Sequence, residues 1–420
     1  MRQTRAVLNS PRSTEAGSPG VDRAEDQSIE KGDTLMPNPI GALLPADEGL
    51  THQIADTFAM VGTSDPAWTE KVCAMAMARD GHLQLGFGLG RYPNRNVLDG
   101  YAAISRGPEQ TTVRASRSLS SAPTSTAVGP IRYEVIEPLQ RVHFQLEPNE
   151  VQPIAFDIEF AAAVPPQLEE RTHLRDQFRV SADLVRYHQT GVASGWVEID
   201  GDRTEISPET WVSTRDHSWG VRYDVGPPPP DRGDTTGFPA GVGFMMIWCP
   251  ALLERPDGTR YALHLHFTLV EAPGFTQKTV TAGVEHPDGR VEPIVDLAPS
   301  LQFDPDNRRL LGGSVVGAMA DGSERPIQIE VLGDTGVQLG AGLYFGFDGH
   351  HHGEWRGELH VDGERIDDCR PSEVARRLHQ IRDTAVRVID PVGGGIGFGN
   401  CQPIAAGPWP DLGLADDPWM

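Results

Sequence analysis

Apolar and polar residues alternate along most of the chain with a period of two, the pattern of strands that bury one face. Three consecutive segments show it best. Ile131, Tyr133 and Val135 alternate with Arg132 and Glu134, Val142, Phe144 and Leu146 with His143 and Gln145, and Ile154, Phe156, Ile158 and Phe160 with Asp157 and Glu159. They predict an antiparallel meander with one wet face. The earlier segments 69–78, 82–89, 96–104 and 111–115 are short, divided by Gly, Pro and Asn, and none has helical length. Residues 189–200 and 209–222 continue the sheet through a turn at Gly201-Asp202.

Pro227 to Pro230, followed by Asp231-Arg232-Gly233-Asp234, cannot lie inside a sheet, because four prolines remove donors and stiffen the backbone. A domain boundary is expected there. Strand patterns resume at 242–248, 260–270, 278–284, 308–318, 326–332, 343–347 and 354–361. Pro256-Asp257-Gly258 and Pro287-Asp288-Gly289 read as hairpin turns. One helix is predicted, over 372–389, where Val374, Leu378, Ile381, Ala385 and Val388 recur at spacings of four and three. The Gly393 to Gly399 tract after it reads as loop. The expected layout is a disordered leader over 1–36, an all-β half over 37–226, a second over 235–370, and a helix with its tail over 371–420. Met36 is a candidate start.

Charge narrows the partners. The 420 residues hold 36 Lys plus Arg against 59 Asp plus Glu, a net charge of -23 that repels phosphate backbones and anionic membranes. Nucleic acid is therefore not an expected partner. No apolar run approaches the roughly 18 residues of a membrane span, and residues 1–33 carry no secretory apolar core. A cytoplasmic location is expected. Cys73, Cys249, Cys369 and Cys401 show no metal-type spacing and read as reduced thiols in apolar surroundings.

The densest chemistry lies in Thr214-Arg215-Asp216-His217-Ser218-Trp219-Gly220-Val221-Arg222. On a strand, Arg215, His217 and Trp219 share one face and Asp216 and Ser218 the other. An imidazole beside an indole suits a pocket for an apolar ligand with one polar handle. A structural ion pair between Asp216 and an arginine is the competing reading. Gly258, His264, His266 and Glu271 match the spacing of a cupin metal strand, though no second histidine motif of that kind follows. His350-His351-His352 sits between glycines, as in an exposed loop. Gly86 to Gly90 and Gly393 to Gly399 open no helix in a βαβ unit, so neither is a phosphate cradle.

Gln189 to Gly195, followed by Arg215-Asp216-His217-Ser218-Trp219-Gly220, together with Tyr133 to Pro138 and His360 to Asp368, resembles the carotenoid 1,2-hydratase (hydroxyneurosporene synthase) and AttH-like superfamily. The resemblance covers roughly residues 66–368 and points to its branch of uncharacterised bacterial proteins. It implies two tandem lipocalin-like antiparallel β-barrels and a hydrophobic small-molecule ligand of terpenoid, steroid or polyketide type. By motif, the hydratases' His-x-Trp pair falls on His217 and Trp219. Gly243 to Trp248 stands where their Tyr-x-Asp pair is expected and offers no acid.

The function expected from residues and resemblance together is a cofactor-independent hydratase, isomerase or cyclase, with a non-catalytic carrier of the same ligand as the alternative. His217 would move a proton while Asp216 and Arg222 set orientation and charge. Trp219, Arg215, Trp248, Gln189, Tyr187, His264 and His266 would line the ligand site. No metal or cofactor is assigned, and a cupin-like site at His264 and His266 is the second alternative.

Overall fold

The computed structural model describes residues 43–176, 178–228, 241–379 and 381–415. The predicted leader, residues 229–234 of the proline boundary and residues 416–420 of the tail lie outside the described residues.

The first half runs β1 (Trp68–Ala78), β2 (Gln84–Tyr92), β3 (Val97–Arg106), β4 (Glu109–Ser118), β5 (Ala127–Val128), β6 (Ile131–Glu137), β7 (Arg141–Leu146) and β8 (Ile154–Ala162). It continues through β9 (Gln167–Leu168), β10 (Thr172–Asp176), β11 (Arg179–Ile199), β12 (Asp202–Ile206) and β13 (Trp211–Val221). The second half holds β14 (Gly243–Glu254), β15 (Arg260–Ala272), β16 (Phe275–Glu285), β17 (Val291–Phe303), β18 (Leu310–Met319), β19 (Glu324–Gln338), β20 (Leu359–Ile366), β21 (Arg382–Asp390) and β22 (Gly395–Ala406).

The protein is all-β, two tandem lipocalin-like antiparallel barrels. The first sheet is ordered β20-β4-β3-β2-β1-β13-β11-β8-β7-β6-β5 and curls until β5 lies against β4 near its other end. There Arg117 Nε donates to the Ala127 carbonyl at 2.7 Å. Inside lie Leu85, Phe87, Phe144, Phe156, Phe160 and Trp211. The predicted meander is β6, β7 and β8, and its alternation buries Phe144, Phe156, Ile158 and Phe160 in this core. The second sheet closes as β14-β15-β16-β17-β18-β19-β21-β22 around Met245, Ile247, Leu263, Phe267, Val386 and Val388. A third apolar cluster, with Met75, Met77, Tyr101 and Val212 on one side and Leu252, Val337, Ala385 and Ile404 on the other, joins the barrels.

Four expectations are corrected. The helix spans only Ser372–Arg377, and residues 382–390 of the expected helix form β21. His379 adopts φ 55, which ends the helix, and Thr384, Val386, Val388 and Ile389 are β-branched residues suited to a pleated sheet. Packing decides, because β21 and the glycine-rich β22 close a barrel that would otherwise expose an edge. Residues 343–347 form no strand. β20, placed by sequence with the second half, crosses back to pair with β4 of the first sheet. The Gly393 to Gly399 tract, read as loop, belongs from Gly395 onward to β22, where close approach of β14 demands glycine: a Cβ on Gly397 would lie 2.1 Å from the Leu252 carbonyl.

Candidate functional site

β13 sits at the centre of the first sheet, between β1 and β11. One of its faces looks into the first barrel and the other toward the second barrel. The alternation of its side chains therefore sorts the predicted site into two groups on opposite sides of one strand.

Arg215, His217 and Trp219 face the lumen of the first barrel, as Tyr187 and Gln189 do from β11. Arg215 is 3% exposed and donates to Gln189 Oε1 at 2.6 and 3.0 Å and to the Tyr187 hydroxyl at 3.2 Å. Gln189 is anchored in turn by bonds to the Leu139 and Val164 carbonyls. His217 Nδ1 lies 3.3 Å from the Tyr187 hydroxyl, and its Nε2 lies 3.1 Å from Glu70 Oε1. That contact with His217 holds the Glu70 carboxyl below its ordinary pKa. Trp219, 37% exposed, stands edge-on to the His217 ring at the barrel mouth.

Asp216 and Arg222 lie on the other face, in the seam between the barrels. Arg222 Nη1 donates to Ser218 Oγ at 3.2 Å. Asp216 is partly exposed, and it has no hydrogen bond or ion pair among the described residues. Burial raises its pKa, against the pull of Arg186 and Arg222, while Glu169 adds to the rise. Cys73, Arg186, Arg222, Tyr344 and His266 are also partly exposed, so solvent reaches this cleft. Tyr223 stacks on Phe345 at its rim. Cys249, Cys369 and Cys401 are buried as expected, whereas Cys73 opens onto the cleft, 3.4 Å from the Tyr344 hydroxyl.

Trp248, His264 and His266 belong to the same side, gathered around a carboxylate that sequence reasoning missed. Glu169 Oε1 accepts from Trp248 Nε1 at 3.0 Å and lies 3.2 Å from His188 Nδ1 and 3.5 Å from His264 Nε2. Its Oε2 lies 3.1 Å from Arg186 Nε and 3.3 Å from His266 Nδ1. Burial opposes the charged form of Glu169, but Arg186, His188 and His266 outweigh it and hold the pKa well below the usual range. Burial also opposes a charged His188, yet bonds to Glu169 and Glu285 lift its pKa to about 9. His264 is pushed well below its ordinary value by burial and then by His188. Glu169, His264 and His266 are the described residues whose ligand atoms cluster closely enough for a metal. Glu271, the carboxylate of the cupin spacing, is exposed at the far end of β15 and takes no part.

Beneath the cleft Lys71 is 3% exposed with no carboxylate within ion-pair distance among the described residues. Its Nζ lies 3.0 Å from His352 Nε2 and 4.1 Å from the centre of the Tyr344 ring. Burial pushes its pKa down to about 8. His352, read from sequence as exposed loop, is 5% exposed, because the segment folds back onto Lys71 and Tyr344. The available sequence signal was a lysine immediately before the apolar run Val72 to Ala78. Its partner, 281 positions away, left none.

Fold and site together define a two-barrel, all-β protein whose acids, imidazoles and guanidinium groups converge on the seam between the barrels. Residues 43–414 match the model of a family described as a family of unknown function, DUF8625, and the chain belongs to that family. Among solved structures it is similar to a protein assigned as AttH from Nitrosomonas europaea, with 12% identity, TM-score 0.47, and 80% of this chain and 91% of that one covered. CghA with Sch210972 is similar at 11% identity and TM-score 0.43, over 81% of this chain and 88% of that one. Kievitone hydratase from Nectria haematococca follows at 9% identity and TM-score 0.39, over 80% and 88%. No curated protein matches the chain. Among the described residues no helix is long and apolar enough to cross a membrane.

Proposed function

We propose that the protein is an acid–base enzyme acting on a largely apolar small molecule of terpenoid, steroid or polyketide type, bound in the cleft between the barrels. The observation that carries this reading is Asp216. A carboxyl enclosed by protein, reached by solvent, lacking a hydrogen-bond partner and raised in pKa is equipped to hold a proton and deliver it. Arg222 and Arg186 stabilise the carboxylate left behind. A proton from Asp216 to an alkene carbon gives a carbocation; attack by water, whose proton returns to Asp216, completes a hydration, whereas attack by a second alkene closes a ring and moves the cation onto it, and loss of a neighbouring C–H proton to the Asp216 carboxylate completes a cyclisation.

The test incubates the protein with geranylgeraniol and related polyenes in D2O and follows deuterium entering carbon by mass spectrometry. Asp216→Asn is expected to cut incorporation by about 100-fold or more, the worth of a positioned acid. His217→Ala, altered on the lumen face, is expected to retain it. Loss in His217→Ala alone would move the chemistry into the first barrel, and ligand bound but recovered without deuterium would make the protein a carrier.

A further inference from the structure

The proton chemistry of Asp216 makes no use of the polar cluster beside it. His264 is 2% exposed, and neither of its ring nitrogens has a hydrogen-bond partner. A neutral imidazole carries one N–H donor and one lone pair, so both are left unmet. Buried polar groups in that condition are rare and call for a cause. Rotation offers no escape, because the ring stacks on His188 with centroids 3.5 Å apart and meets Trp248 edge-on. Nε2 instead points toward Glu169 Oε1, 3.5 Å away, while His266 Nδ1 lies 3.3 Å from Oε2. All three ligand atoms lie within 4.8 Å of one another.

The geometry points to a binding site for one divalent transition-metal ion of the zinc type, held by Glu169, His264 and His266. Two imidazoles and one carboxylate suit zinc and its neighbours, whereas magnesium and calcium prefer oxygen alone. His264 and His266 stand two positions apart on β15, so the strand's own period aims both at the seam. Trp248 Nε1 and His188 Nδ1 contact Glu169 Oε1 and fix the carboxylate, as outer partners of metal ligands do. The other nitrogen of His188, Nε2, lies 2.6 Å from Glu285, so this outer partner is itself held between two carboxylates. His266 is 19% exposed, so the ion would be reached from the cleft. Glu169 comes from the first half and the histidines from the second, so the ion would also tie the barrels together.

The experiment takes the full chain, purified without a histidine tag and dialysed against EDTA, and titrates it with zinc chloride by calorimetry. One zinc per chain is expected, with a raised melting temperature. His264→Ala and His266→Ala are expected to weaken zinc by at least about 10–100-fold, the cost of losing even an outer partner. His82→Ala, a control at an exposed histidine, is expected to bind as the parent does. Cobalt in place of zinc reports entry into a low-coordinate protein site, because its visible bands intensify and shift on leaving six-coordinate water, so a variant that fails to fold does not spoil the test. No zinc binding by the parent, a cobalt titration whose spectrum stays that of the aqueous ion, or unchanged affinity in folded His266→Ala overturns the site.

Discussion

Asp383→Asn removes a single carboxyl charge from the seam between the barrels and leaves its shape. Asp383 is 3% exposed on β21, and its Oδ1 accepts from Asn400 Nδ2 at 2.6 Å. Burial outweighs that bond and lifts the carboxyl from 3.8 to about 7. The unfolded chain releases this proton near pH 4, whereas the folded chain keeps it until about pH 7. Between those values the unfolded state binds fewer protons, so stability falls as pH rises through the window. Complete ionisation in the fold costs about 4 kcal/mol, at about 1.4 kcal/mol for each tenfold change in proton affinity.

The amide of the variant still accepts from Asn400 and has no charge to bury. Asp383→Asn is expected within about 1 kcal/mol of the parent near pH 4.5, and more stable near pH 8 by up to about 4 kcal/mol. Urea unfolding followed by tryptophan fluorescence at a series of pH values measures both proteins. Their difference cancels the other carboxyls. A variant as pH-sensitive as its parent, or less stable at pH 8, would refute the reasoning and show that Asp383 ionises in the seam with its charge compensated.

Lys71→Met should stabilise the protein near pH 7 by up to about 3 kcal/mol, because a buried ammonium lowered from 10.5 to about 8 is replaced by an apolar chain of similar length. The sign reverses the carboxyl case: the parent gains stability between pH 8 and 10.5 as the folded-state penalty disappears, and the variant should lack that gain in the same denaturation series. Gly220→Ala should destabilise by at least about 2 kcal/mol, since φ at Gly220 is 134 and the new Cβ would lie 2.2 Å from the Asp183 carbonyl. A melting temperature equal to the parent's would show that β11 gives way there.

The period-two pattern was sufficient for the strands of the meander and for the assignment of Arg215, His217 and Trp219 to one face of β13, because side-chain direction on a strand is a local property. Local pattern failed at residues 382–390. There Ile381, Ala385 and Val388 fit a helical period by coincidence, while the barrel needed a closing strand. It failed again at His352, whose glycine neighbours suggested a loop and whose burial depends on Lys71.

Composition, alternation and turn chemistry, all of short range, determined by themselves that the chain is antiparallel β in two halves, and that the segment around His217 carries its densest chemistry. Which groups meet across the fold was decided only by tertiary structure. Alternation places Asp216 and His217 on opposite faces, but curling of the first sheet decides that one looks into a seam and the other into a lumen. Glu169 reaches His264 and His266 only because the end of β9, laid along β11, meets β15 across that seam. Contacts between residues tens or hundreds of positions apart leave no local trace, since each partner satisfies the pattern of its own strand equally well without the other.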